Sequence, residues 1–264
     1  MKNILSIILF FIFASLTSQD VGFSNVLEAV YPDKNNLRFP KVYKVDSPRN
    51  TTKTINIVVH SKINSSVKID FKSDFFEEIK FNEVIDVPVE QNTGLDSRTE
   101  RFKGNINPYV IRRAPFRIFE IIKPIEKNII STNSNYSLIN IKIPIDKNFT
   151  PGNYEIDFIV LVDQKKFNLK LKIVIYDFII PDLNKSNFFY TNWFNLSKME
   201  EYHVIERWSQ EWFSMLNNYA ELMAYGRQNC VKIPNELISL ENNEVFLDEK
   251  KNDVFYQCIS KKWV

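Results

Sequence analysis

Between Tyr154 and Tyr176 two apolar-rich arms, the second alternating with polar residues from Phe167 to Ile173, make a pattern that a β-hairpin satisfies and a helix does not. The first arm reads Tyr-Glu-Ile-Asp-Phe-Ile-Val-Leu-Val and ends at Val162. The second places Phe167, Leu169, Leu171, Ile173 and Ile175 on one side, with Lys170 and Lys172 on the other. Successive side chains of a strand point to opposite faces, so one face of this hairpin must be buried and the other wetted. Two strands cannot bury such a face alone, which commits the chain to a second apolar sheet. The connection Asp163-Gln164-Lys165-Lys166 is polar and of hairpin length. Just upstream, Thr150-Pro151-Gly152-Asn153 reads as a turn in which Pro presets φ and Gly supplies a positive one.

Other segments repeat the theme. Thr54 to Val59 is rich in β-branched residues, and Ser66 to Lys72 and Leu138 to Pro144 alternate with period two. Many short strands and no convincing helix predict a mainly β fold, an immunoglobulin-like β-sandwich over residues 21–182. Asp86 to Ile125 is less regular, punctuated by Gly94, Gly104, Pro108 and Pro115. Its Arg98, Arg112 and Arg113 admit a reading as anion or sugar-hydroxyl contacts. The preferred reading is ion pairing with Asp96, Glu100 and Glu120 that locks a long loop onto the sandwich.

After Ile180-Pro181-Asp182 the grammar changes. Asn187 to Phe194 is an aromatic run without alternation, as expected of a strand buried on both faces. A polar loop is expected next, then a helix from about Ile205 to Gly226. Trp208, Trp212, Met215, Leu216, Tyr219, Leu222 and Met223 recur there at spacings of three and four, and Gly226 is placed to end it. Asn229 to Pro234 reads as a second strand, which makes a right-handed βαβ unit. Glu244 to Asp248 is a further short β element, and Asp253 to Val264 the start of another helix. Residues 187–264 are thus expected to form an incomplete (β/α) barrel segment.

Met1 to Ser18 has the form of a secretory signal peptide: Lys2, an apolar run from Ile4 to Phe13 broken only by Ser6, and the small-residue exit Ala14-Ser15-Leu16-Thr17-Ser18. The run is shorter than the ~20 residues of a spanning helix, so no membrane span is expected after cleavage. The protein is expected to be exported, to a periplasm or the cell exterior. The two cysteines, Cys230 and Cys258, can be a disulfide or two buried thiols; spacing alone leaves both open. A net charge of +2 offers nucleic acid no concentrated basic face, and none is expected as a partner.

Standard catalytic signatures are missing. The two histidines, His60 and His203, form no zinc-spaced cluster with the cysteines, and five dispersed glycines build no phosphate loop. No cofactor or metal is expected. The candidate site lies where the aromatic run gives way to the polar loop, at Asn192, Trp193, Asn195 and His203, with Phe194 and Tyr202 beside them. Ligands of βα architectures bind outside the carboxyl ends of the strands. Trp and Tyr offer flat faces to sugar rings, and Asn and His offer partners to hydroxyls. The competing reading buries Trp193 and Phe194 as interface filling, the preferred one for Phe194. Glycoside hydrolysis needs two carboxyl groups flanking one bond, or one acid helped by the substrate's acetamide. Glu200, Glu201, Glu206 and Glu211 offer no such arrangement. Glu206 reads as a first-turn helix residue, and no residue is assigned a catalytic role.

Together, Ile139-Asn140-Ile141-Lys142-Ile143-Pro144, Thr150-Pro151-Gly152-Asn153-Tyr154-Glu155 and Ile179-Ile180-Pro181 resemble the N-terminal sandwich of glycoside hydrolase family 123. Thr191-Asn192-Trp193-Phe194, with Tyr202-His203, Glu206 and Trp208-Ser209, resembles the opening βα unit of that family's barrel. The resemblance spans residues 21–240. It implies a glycan ligand containing N-acetylhexosamine and an Asp-Glu pair that assists attack by the substrate's acetamide. No position here matches that pair, so this polypeptide alone is expected to lack hydrolytic activity. A non-catalytic glycan- or protein-binding β-sandwich is the alternative.

Overall fold

In the computed structural model, which describes residues 19–33, 39–92, 101–102, 105–108, 110–185, 188–191, 194–230, 238–241 and 244–247, the alternating segments become the inner faces of two five-stranded sheets. The strands in chain order are β1 (Asp20–Ser24), β2 (Val42–Arg49), β3 (Thr51–His60), β4 (Ser66–Lys72) and β5 (Lys80–Val89). The short pair β6 (Arg101–Phe102) and β7 (Asn105–Ile106) comes next, then β8 (Phe116–Pro124) and β9 (Ile129–Ser131). Last come β10 (Tyr136–Ile145), β11 (Gly152–Val162) and β12 (Lys165–Ile179). One sheet has the order β1-β3-β10-β5-β8 and the other β2-β12-β11-β4-β9. All pairings within these two sheets are antiparallel except β2 with β12. The β-sandwich expected from the sequence is therefore the fold observed.

The core is made of the residues that alternation pointed inward. Ile156, Phe158, Val160 and Val162 of β11 and Leu169, Leu171, Ile173 and Ile175 of β12 meet Ile55, Ile57 and Val59 of β3 and Ile139, Ile141 and Ile143 of β10. On the opposite face of the hairpin, Lys170 pairs with Glu155 at 2.7 Å and Asp157 at 3.3 Å. The hairpin is tighter than its composition implies. Val162 pairs with Lys165, so the turn is Asp163-Gln164 alone and both lysines belong to β12. Backbone pairing continues through polar residues because the ladder needs only N–H and C=O groups. Gly152 has the positive φ expected of it, 157°, but as the first residue of β11 rather than within a turn.

Two strands lie in the segment whose punctuation predicted irregularity. β5 and β8 pair across Asn82–Val89 and Phe116–Pro124, with a bulge at Ile85/Asp86 that breaks the period-two pattern. Of the arginines read as ion-paired, Arg112 is so in the structure, with Asp33, a partner outside the expected set. It also stacks on Tyr31 and Phe116 at 4.4 and 5.1 Å, and Arg117 pairs with Asp86. Arg98, Asp96 and Glu100 lie outside the described residues.

The β10 sheet is buried on its second face as well. Val58, Val84, Tyr136 and Leu138 form a smaller cluster there with Val30, covered by Phe39 and Phe119. Asn56, Asn140 and Asn82 stand opposite one another on β3, β10 and β5, all three buried. Asn140 Nδ2 donates to Asn56 Oδ1 at 2.9 Å.

Gly22 of β1 permits a close approach. A Cβ at this position would lie 2.5 Å from both Cβ and O of Phe39 and 2.7 Å from its carbonyl carbon. That segment is tied down, since Phe23 N donates to Pro40 O at 2.9 Å and Lys41 holds Asp20 and the carbonyl of Val21. Gly22→Ala is expected to cost about 2–3 kcal/mol, the upper range for overpacking, read as a lower urea midpoint at unchanged slope. An unchanged midpoint would show that the 39–41 segment yields freely.

The chain divides into two compact units at Ile180/Pro181. The second contains α1 (Leu196–His203) and α2 (Gln210–Tyr225), followed by an antiparallel pair, β13 (Ile238–Glu241) and β14 (Glu244–Leu247). Several expectations are corrected here. Residues 188–191 form no strand, and Phe188 and Phe189 are 74% and 79% exposed rather than buried on both faces. Nor are Asn229 and Cys230 in a strand, although Tyr190 O accepts from both of their backbone N–H groups, at 3.0 and 3.2 Å. Among the described residues there is no strand–helix–strand repeat. Cys258 and residues 251–264 lie outside them, as does the 1–18 segment read as a signal peptide.

Candidate functional site

The site region is built by two helices where the sequence predicted one helix and a loop. The expected polar loop is α1, with Asn195 as its N-cap: the Asn195 Oδ1 accepts from Lys198 N at 3.1 Å. Only Leu196 and Met199 mark its inner face, and two apolar residues three apart give little periodic signal. Val204 ends it in the left-handed conformation, φ 53° and ψ 50°. The long helix begins at Gln210, not Ile205, because Trp208 also has positive φ, at 70°, and Ser209 Oγ caps the Trp212 N–H at 3.1 Å. Glu206 therefore lies outside any helix, and Glu211 is the acidic residue of the first turn. Gly226 ends α2 as expected, but the left-handed position is Arg227, φ 64°. Gln228 N bonds Met223 O and Arg227 N bonds Ala224 O, both at 2.9 Å, closing a Schellman motif.

The helices pack through Met199, Trp212, Leu216 and Ala220, all buried, with Phe194, Tyr219 and Met223 against them. Leu222, expected on this stripe, is exposed. At the centre sits Glu200, whose carboxylate accepts from Arg207 Nε at 2.5 Å, Arg207 Nη2 at 3.0 Å and Trp212 Nε1 at 2.8 Å. Burial pushes its pKa up, but the Arg207 guanidinium and the Trp212 indole N–H outweigh this and hold the carboxyl below its ordinary range. Glu200 is thus a structural anion. The sequence hid this, because Glu200, Arg207 and Trp212 meet only through the break between the helices.

On the other side of α1 an open groove of about 700 Å³ is lined by Phe194, Asn195, Lys198, Met199, Glu201, Tyr202 and Tyr219. Its walls are aromatic and its rim is charged, with Lys198 and Glu201 paired at 2.5 Å. Tyr202 is 81% exposed. Phe194 packs on Tyr219 with ring centres 5.0 Å apart. His203 is the last residue of α1 rather than a loop residue, and its Nε2 lies 3.1 Å from Tyr219 Oη. Of the sequence-predicted site residues, the structure brings Asn195 and His203 to this groove, the first in its wall and the second behind Tyr219. Asn192 and Trp193 lie outside the described residues. Tyr219, Lys198 and Met199 also line the groove; in the sequence Tyr219 reads only as part of the long helix's apolar stripe, and Lys198 and Met199 are not singled out. No cluster of three metal-ligating side chains occurs among the described residues, and no described helix is long and apolar enough to cross a membrane.

No protein-family model matches the sequence, and no curated protein matches it either. Solved structures do. The chain is similar in fold to a family 123 glycoside hydrolase from Clostridium perfringens. The TM-score is 0.68 at 13% identity, over 93% of this chain and 46% of the hydrolase. The chain thus spans about half the length of that protein, whose structure describes glycolipid glycan hydrolysis. The CooA pilin subunit of enterotoxigenic Escherichia coli has 12% identity and a TM-score of 0.29, over 61% of this chain and 99% of its own. A PapD-like domain of human CEP192 has 10% identity and a TM-score of 0.26, over 61% and 86%. At 13% identity, what the hydrolase shares with this chain is the fold.

Proposed function

We propose that this chain is the sandwich and first site-bearing segment of an exported glycoside-hydrolase-like protein that engages glycans containing N-acetylhexosamine. The observation that carries the reading is the fold likeness to the family 123 hydrolase, which extends over 93% of the chain and so takes in residues beyond the sandwich. The aromatic groove supports it. Exposed Tyr202 offers a face for sugar C–H groups, and Asn195, Lys198 and Tyr219 offer polar partners. The leader-like residues 1–18 support export to a periplasm or the cell exterior. Hydrolysis is not assigned to this chain: Glu200 is engaged by Arg207 and Trp212, and Glu201 by Lys198.

The test is calorimetric titration of the chain with an N-acetylgalactosamine-terminated glycolipid oligosaccharide, alongside a chromogenic N-acetylhexosaminide assay. Binding without turnover is expected, weakened about two- to twelvefold by Tyr202→Ala, as loss of a stacking face worth about 0.5–1.5 kcal/mol implies. Absence of binding to N-acetylhexosamine glycans would overturn the reading. Binding untouched by Tyr202→Ala would move the glycan away from this groove.

A further inference from the structure

Tyr219 is the one groove residue whose hydroxyl is bonded from behind by an ionisable ring, and that bond has two possible senses. His203 Nε2 and Tyr219 Oη are 3.1 Å apart, a hydrogen bond whichever atom carries the proton. A phenol both donates and accepts, whereas a ring nitrogen does only one at a time. With neutral His203 protonated on Nδ1, the Tyr219 O–H donates to Nε2 and its lone pairs are left to accept. Once Nε2 takes a proton it donates to Tyr219 Oη, and the phenol O–H must turn away from it. Because Tyr219 lines the groove, that rotation changes what the groove offers a ligand.

We propose that His203 sets the hydrogen-bonding sense of Tyr219, so that the groove accepts from ligand hydroxyls when His203 is neutral and donates to a ligand carbonyl when it is protonated. Tyr219 is then a specificity-determining residue and His203 a positioning residue behind it. Tyr202 on α1 and Tyr219 on α2 are the rings against His203, with centres 5.0 and 5.8 Å away. The carboxylates preceding it on α1 are engaged elsewhere, Glu200 by Arg207 and Trp212 and Glu201 by Lys198. At the end of α1, the Glu200 carbonyl accepts from the backbone N–H groups of Val204 and Ile205.

This inference deepens the glycan reading and rests on it, so the experiment has two arms. The first needs no ligand: nuclear magnetic resonance of the full chain tracks the His203 ring nitrogens and Tyr219 Cζ from pH 5 to 8. The neutral ring is expected to carry its proton on Nδ1, and Tyr219 Cζ is expected to move at the His203 midpoint. His203→Gln should leave the Tyr219 signal flat while preserving the fold. A neutral ring protonated on Nε2, or a Tyr219 signal indifferent to His203, overturns the proposal. The second arm compares N-acetylgalactosamine, which carries an acetamide carbonyl, with galactose, which has hydroxyls only. The affinity ratio is expected to rise about threefold as pH falls, in line with one net hydrogen bond, and to stay constant in Tyr219→Phe. A pH-flat ratio in the unaltered chain overturns the specificity claim. If neither sugar binds, the glycan reading fails and the first arm alone decides the pair.

Discussion

Glu200→Ala is expected to destabilise the second unit by about 3 kcal/mol, the low end of the range for removing one partner from a buried ion pair. The carboxylate accepts both guanidinium bonds of Arg207 and the indole N–H of Trp212, and side-chain exposure is only 17% for Glu200 and 23% for Arg207. Truncation takes the carboxylate from a largely buried guanidinium, which keeps Ser197 Oγ as an acceptor at 2.9 Å, and leaves the buried indole N–H without its acceptor, which costs more than the pair's net contribution. The readout is selective. All four tryptophans, Trp193, Trp208, Trp212 and Trp263, come after Pro181, so tryptophan fluorescence in urea reports on this unit and not on the sandwich strands. Arg207→Ala should have a smaller effect, since the Trp212 N–H still satisfies part of the carboxylate. Equal and negligible effects from both substitutions would show that the second unit is held together without this cluster.

The same group predicts an acid response. The folded-state pKa of Glu200 is depressed below its unfolded value of about 4.3. Its contribution is therefore complete above the unfolded pKa and is lost as pH falls through the folded one. Fluorescence-detected stability should drop below about pH 4 in the unaltered chain. In Glu200→Gln the drop should be shallower, because the amide oxygen still accepts but does not titrate.

How far the sequence reveals this molecule depends on how local the determinants are. β4, β11 and β12 were legible because each buries one face through its own alternation, and β10 because its polar and apolar residues alternate even though both of its faces are covered. β5 and β8 were hidden: a bulge at Ile85/Asp86 resets the register, and Ile121 and Ile122 are exposed side by side on an edge strand, so no period survives. In the second unit the helix of Trp212, Leu216 and Ala220 was legible and its start was not. Left-handed Trp208 cuts off the first residues of the run read as helix from Ile205, left-handed Val204 ends the helix found in the stretch read as loop, and neither is a Gly or Asn that would announce such a backbone. Asn195 stands out in the sequence as a ligand contact for its amide and is a helix cap in the groove wall. The groove itself depends on Tyr219 meeting Phe194 and His203 across two helices, a juxtaposition that no sequence spacing encodes.

Phe158→Ala is expected to carry the largest cost in the sandwich, about 4 kcal/mol, within the range for emptying a buried phenylalanine site. Phe158 is fully buried on β11, the central strand of its sheet, between Leu169 of β12 and Phe71 of β4. Its ring also meets the opposite sheet edge-on. Phe23 of β1 lies at 6.0 Å and 75°, and Phe81 of β5 at 6.4 Å and 83°. Removing it therefore opens a cavity between two sheets, on a strand already paired on both sides. Neither sheet can collapse into that space without disturbing its own ladder. Phe158→Leu keeps most of the volume and should cost less than half as much. Far-UV circular dichroism in urea, dominated by the strands, measures both. A cost for Phe158→Ala near that of Phe158→Leu would mean that Phe23 and Phe81 close over the gap, and that the two aromatic edges are not what holds the sheets at their spacing.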